Sequence, residues 1–429
     1  MKKVVVFLLR GCSTGWLGCY GNEWVGTPQC DRLAYEGVVW DRFYADLVDP
    51  WIQRQRLIPL LQAWRTAGVS TVLVRAHSTA YDFPPLFYES WSTLFEARPQ
   101  QGHAPLRPFL DLWPRILEQL AHEERALLWI DIGCLLPPWD VPQDVFTAYL
   151  DLEESAAGDV RDEAQRAAAG GGEQPAKPAP QAGEVDSDDD QTIPPCTEPP
   201  IGVFDTQDDA AWQWLQASFA AVVTTLDAAL GEAWDLLRQS SWGQEATWIL
   251  TADLGFPLGE HGRIGWDRPW LHEEVVHLPL IVRLPQAQQG GRRVRALCQA
   301  ADLWTTLAEW FATPILWHFP GKSLLPLLQT GADQLRQEVV SYWEMPDAAE
   351  ASLRTPDWAF LLPLRIPEGE QRLPQLYAKP EDRWEVNDLR SRHLEQAEAC
   401  EARLHQLLPE LLTHVKQLKN DHPANDNKD

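Results

Sequence analysis

The stretch TADLGFPLGEHG, residues 251–262, holds side chains able to do chemistry. A strand-like run, Thr247, Trp248, Ile249, Leu250 and Thr251, leads into Asp253, and a turn follows. An acid at the C-terminal edge of a buried strand stands where α/β folds hold metals and substrates. Its neighbour Leu254 can neither ligate a cation nor move a proton. His261 and His272 come next; histidine suits acid–base work and metal ligation. With Asp253 they suggest an acid–base pair or a one-carboxylate, two-histidine transition-metal site. Structural histidines are the ordinary alternative, and His277 within EEVVHLPLI reads as one. The seven cysteines are odd in number and lack zinc spacing, which points to reduced, mostly buried thiols.

Elements that would position these groups are legible. Val4–Leu9 is a continuous apolar run, as in a parallel strand covered on both faces. The six-residue run followed by Arg10 is short for a signal peptide, and no stretch is long enough to span a bilayer. In TPQCDRLAYEG, Thr27 reads as an N-cap, Pro28 as the first helical residue and Gly37 as the terminator. Further strands are expected at Thr71–Val74, Ala126–Ile132, Thr247–Thr251 and Pro279–Val282. A helix is expected from about Asp208 to Leu237, where apolar residues recur every three or four positions. Alternating strands and helices indicate an α/β fold with a large, mainly parallel sheet sandwiched by helices.

Residues 154–200 break the pattern with Ala, Gly, Pro and acid, and read as a disordered acidic insertion within a 1–330 domain. After about residue 330, WAFLLPL and QLYAKP look like antiparallel strands. Arg392–Leu418 reads as helical, kinked or broken at Pro409. These define a small C-terminal α+β subdomain over 331–420, followed by a tail at 421–429. The net charge of −26, of which residues 151–200 supply −10, argues against nucleic acid and anionic membrane as partners. The expected location is cytoplasmic. The 22 tryptophans have no account at this level.

In this order, LGCYGNEWVGTPQCDRLAYEGVVWDRFYA, LGEHGRIGW, LHEEVVHLPLIVRLP, DLWTTLAEWF with GKSLLPLL, and LYAKPEDRWEVNDL resemble the sulfatase family of the alkaline phosphatase superfamily. The resemblance implies an alkaline-phosphatase-like fold and hydrolysis of sulfate, phosphate or phosphonate esters. It implies a nucleophile within Cys/Ser-x-Pro-x-Arg and one divalent cation, usually calcium. Two Asp after the first strand and an Asp with His or Asn after a later one would hold that cation. A hard cation needs such oxygen ligands, and it neutralises the ester.

The implied site residues are mostly missing. Arg10 and Gly11 occupy the Asp-Asp positions. A unit positive charge about 4 Å from a dication costs roughly 8 kcal/mol at an effective dielectric of about 20. In an ungapped alignment Pro50 stands at the nucleophile and Arg54 at the motif arginine. Alternatively the nucleophile helix is deleted; no Cys or Ser fills the role either way, and the ordinary reading of Arg54 is an exposed arginine at a helix start. Leu136 replaces a catalytic histidine, Leu254 the His or Asn ligand, and Trp266 a lysine; Asp253 and His261 are kept.

Each loss alone lowers a hydrolase rate by orders of magnitude. The expectation is therefore a sulfatase-like pseudoenzyme without a metal or other cofactor, which binds an unknown protein or an anionic ligand. Arg10, with Arg54 or Arg75, would form the positive floor of the ligand's pocket. An active sulfate or phosphate ester hydrolase with a rebuilt site is one alternative, and an interaction protein using the acidic insertion is another. Since both ligand-bearing strands aim at one point, Arg10 and Asp253 are expected to form an ion pair where the cation would sit. The alternative is an Arg10 that reaches solvent and an Asp253 that caps its turn.

Overall fold

A computed structural model of the chain describes residues 2–76, 83–97, 106–150, 193–314 and 321–421. The main sheet has eight strands: β1 (Lys3–Gly11), β2 (Val38–Trp40), β3 (Ser70–Ala76), β4 (Thr93–Glu96), β5 (Ala126–Ile132), β6 (Thr247–Gly255), β7 (Leu280–Arg283) and β8 (Arg292–Val294). Their order across the sheet is β8-β2-β7-β6-β1-β5-β3-β4. All neighbours run parallel except at β7, which is antiparallel to both β6 and β2. The fold is the α/β sandwich expected from the alternating pattern. The short strands β2, β4 and β8 escaped that pattern, because three or four residues carry too little periodicity.

Tryptophans wedge the helices onto both faces of the sheet. Val6 lies beside Trp129 and Phe7 beside Ile130 in the β1–β5 register, so Phe7 and Trp129 point to opposite faces. Phe7 packs on Trp113 and Trp234, while Trp129 stacks on Trp304 at 5.4 Å. Trp234 belongs to the long helix α3 (Asp209–Gln239) and Trp304 to α4 (Ala300–Trp310).

Helix α1 (Pro28–Glu36) starts at Pro28 behind Thr27, as expected. Thr27 does not cap it, however: its hydroxyl accepts from Gly18 N–H. The first amides of α1, Gln29 and Cys30, instead donate to the Asp227 carboxylate of α3, both at 2.8 Å. Helix α2 (Pro50–Thr66) is capped by Asp49, which accepts from Trp51 and Ile52 N–H.

The C-terminal part is an antiparallel sheet of β9 (Val339–Glu344), β10 (Ala349–Arg354), β11 (Trp358–Arg365) and β12 (Gln375–Ala378), with helix α5 (Leu394–Asp421) on it. α5 is one helix from end to end, so Pro409 does not break it. Leu47 and Ile52 of the first part join the apolar cluster of this sheet and α5, which ties α2 to both units.

Residues 154–192 of the expected acidic insertion and 422–429 of the expected tail lie outside the described residues. Residues 193–200 of that insertion are mostly exposed but anchored: Cys196 is buried and bonds through its N–H to Ser218, and Trp139 N–H donates to the Thr197 carbonyl. Among the described residues, no helix is long and apolar enough to cross a membrane.

Candidate functional site: a buried ion cluster at the strand ends

The three central strands deliver the charged groups. Asp131 lies beside Leu8 in register, and Asp253 follows Ala252, the partner of Leu9. Arg10, two residues beyond Leu8, therefore shares a face with Asp131. One turn into α2, Arg54 reaches the same point. Its Nη2 donates to Asp253 Oδ2 at 3.1 Å and to Asp131 Oδ2 at 3.3 Å. Arg10 Nε lies 3.5 Å from Asp253 Oδ2 and 3.9 Å from Asp131 Oδ1.

The expected contact of Arg10 with Asp253 is thus present, within a four-membered cluster. All four residues are buried, Asp253 at 0% and Arg54 at 1% exposure. Arg54 is therefore not the exposed helix-start arginine that the sequence allowed. Both guanidinium carbons lie 4.8 Å from the Phe83 ring centroid. The Asp253 backbone is also held: its carbonyl accepts from Gln53 Nε2 at 3.0 Å, and Leu254 N–H donates to its Oδ1 at 2.9 Å.

Asp131 was missed in the sequence. The signal that singled out Asp253, an acid at the end of an apolar strand, is equally present in LLWIDIG. The resemblance points there to a histidine at position 136 and so draws attention away from the aspartate.

Apolar groups fill the remaining positions. Gly11 has φ +88°, and a Cβ there would lie 2.9 Å from Leu136 Cδ2. The position of the second aspartate and that of the histidine are thus packed against each other. Leu254 is fully buried. Trp266 donates from its ring N–H to the Gly255 carbonyl and packs edge-on against Phe256. Phe256 continues through Trp139 and Phe219 to Trp16.

The two histidines do not join this cluster through any carboxylate of Asp253, whose partners are the arginines. His261 and His272 stack at 3.6 Å, nearly parallel. His261 Nδ1 bonds Glu274 Oε1 at 2.8 Å, and its Nε2 faces the Glu385 carbonyl at 3.1 Å. Two acceptors make this ring a double donor. Burial pulls its pKa down, but the Glu274 carboxylate outweighs burial and raises it to about 9. His272 donates from Nδ1 to Glu385 and accepts at Nε2 from Arg372. Burial, then the charge on His261, lowers its pKa, as a neutral ring requires. The pair ties the large sheet's connections to the C-terminal part. His277 is likewise structural, with Nδ1 2.7 Å from Glu273 and Nε2 donating to the Asp41 carbonyl. Arg75 pairs with Glu96 at 3.2 Å.

A hard divalent cation does not fit the cluster. Each carboxylate faces two guanidinium groups, so the local charge is already balanced, and a cation would meet both arginines at close range. Among the described residues, no group of three or more His, Cys, Asp and Glu is arranged to hold a metal ion.

Comparison with known proteins bears on this geometry. Residues 259–420 match the family model described as N-sulphoglucosamine sulphohydrolase, C-terminal. An N-acetylglucosamine-6-O-sulfatase of Bacteroides thetaiotaomicron is 29% identical over 150 residues, 34% of this chain and 26% of the relative. Arylsulfatase K of Bos taurus is 23% identical over 221 residues, 48% of this chain and 39% of the relative. Over these stretches the chain is similar to sulfatases. The matches span between a quarter and two fifths of these two relatives' own lengths.

The phosphonate monoester hydrolase of Agrobacterium radiobacter superposes with a TM-score of 0.67 over 96% of both chains at 15% identity, which shows a shared alkaline-phosphatase-like fold. The strand ends that the resemblance assigns to a cation carry an arginine–aspartate cluster.

Proposed function

We propose that this sulfatase-family protein binds without hydrolysing: metal binding and sulfuric ester hydrolysis have been lost, and the fold serves to bind a protein partner or an anionic ligand. The observation that carries this reading is the buried cluster of Arg10, Arg54, Asp131 and Asp253, in which both carboxylates are neutralised by guanidinium groups. Acids committed in this way are poor cation ligands, because binding would first break two buried ion pairs. The packing of Leu136 on Gly11 supports the same reading. All seven cysteines are unpaired thiols, which supports placement in a reducing compartment such as the cytoplasm.

The test is metal analysis of the pure protein, together with assays on aryl sulfate, phosphate and phosphonate esters. The expected result is metal far below one equivalent and no turnover above the blank. A stoichiometric divalent ion, with turnover abolished by Asp253→Ala, would establish the rebuilt hydrolase instead.

A further inference from the structure

We propose a separate oxyanion-binding site in the cleft between the large sheet and the C-terminal sheet. It names a ligand class for the binding reading above but shares no residue with the strand-end cluster. The expected anion pocket at Arg10 is not available, since Arg10 and Arg54 are buried against two carboxylates and Arg75 is paired with Glu96.

The cleft differs in each of these respects. Six cations line it: Arg42, Arg293, Arg295, Arg354, Lys379 and Arg383. Among the described residues, the carboxylates in its wall are Asp41 and Glu273, with Glu385 bonded behind Arg354 and Lys379. Arg354 and Lys379 spend their charge on Glu273 and Glu385, and Arg293 pairs with Asp41. Arg383 donates to the Tyr20 carbonyl.

Arg42 and Arg295 have no carboxylate partner among the described residues. Arg295 is exposed and Arg42 half-buried. Six cations against three carboxylates leave a local surplus of positive charge in a chain whose net charge is −26. A concave surplus of this kind attracts anions against the field of the whole molecule.

Shape and lining narrow the class. The pocket holds about 380 Å³, the size of a small-molecule site. Tyr20, Tyr44, Pro356 and Pro380 add apolar wall, and the His277 ring stacks on Tyr44 at 4.8 Å. Guanidinium forks match the oxygens of tetrahedral anions. The ligand is therefore a sulfate or phosphate group carried on a body the size of one sugar.

The experiment is titration calorimetry of the intact protein with glucose 6-sulfate and with glucose 6-phosphate, at ionic strength fixed with chloride. At least one ester is expected to bind saturably with 1:1 stoichiometry, and the preferred ester identifies the oxyanion. Arg42→Ala with Arg295→Ala should weaken binding at least about tenfold without changing the melting temperature, since neither side chain makes an ion pair. Arg295→Lys alone should weaken it less. If neither ester binds, or if the double variant binds like the wild type, the site is refuted. Metal content and turnover do not enter this result, so the two proposals fail separately.

Discussion

Each aspartate of the strand-end cluster is held by two arginines, so removing one charge leaves others buried and uncompensated. Asp253→Asn should destabilise the protein by about 3–5 kcal/mol, read from urea unfolding. Replacing Arg10 and Asp253 together by leucine should cost less than the sum of the single changes, because the residues left behind, Arg54 and Asp131, pair with each other at 3.3 Å. Additive losses would show that Arg10 and Asp253 do not interact. The histidine stack makes a prediction of opposite pH sense from acid denaturation. His261 has a folded-state pKa of about 9, above the roughly 6.5 of an unfolded chain. Its contribution to stability is therefore complete below about pH 6.5 and is lost as pH rises through about 9. The drop in melting temperature caused by His261→Gln should be largest below about pH 6.5 and vanish above about pH 9. A constant difference across that range would sink the assignment.

Elements hold these residues through bonds that local sequence does not announce. Thr27 has the right type and place for an N-cap, yet Gly18 takes its hydroxyl and Asp227 takes over the cap from a distant helix. Asp227→Ala should cost about 1–2 kcal/mol, while Thr27→Ala should cost no helix cap, only the loop bond to Gly18. Measuring both by chemical denaturation separates the roles. At the end of β1 the backbone of Gly11 is left-handed and its space is taken by Leu136. Gly11→Asp should therefore destabilise by about 1–3 kcal/mol through overpacking and should not restore cation binding, as calcium titration would reveal.

At the scale of the whole molecule, burial and charge are divided between two places. The strand-end cluster is buried and balances two arginines against two aspartates, while the cleft against the C-terminal sheet keeps a positive surplus. A chelator should accordingly leave the melting temperature unchanged, since no cation contributes to the folded state under the proposed reading. A chelator-induced drop would mean that a metal is bound to the native protein.

The sequence by itself determined the layered α/β fold, five central strands, helices α1 and α3 and the antiparallel character of the C-terminal strands. Apolar runs and periodicity are local properties, and burial enforces them wherever they occur. It also raised the expectation that residues around a cation are replaced, since a missing carboxylate is visible in one letter. Arg54, read as exposed from its neighbours, turned out buried, because what covers a helix start is set by strands far away in the chain. Asp131 and Phe83 joined the site for the same reason: three strand ends and one helix start converge only in three dimensions. The cleft of Arg42, Arg295 and Arg354 lay beyond any sequence pattern, since its charges come from four separate segments. Tertiary structure alone decided which arginines are neutralised and which remain available, because that depends on partners distant in sequence.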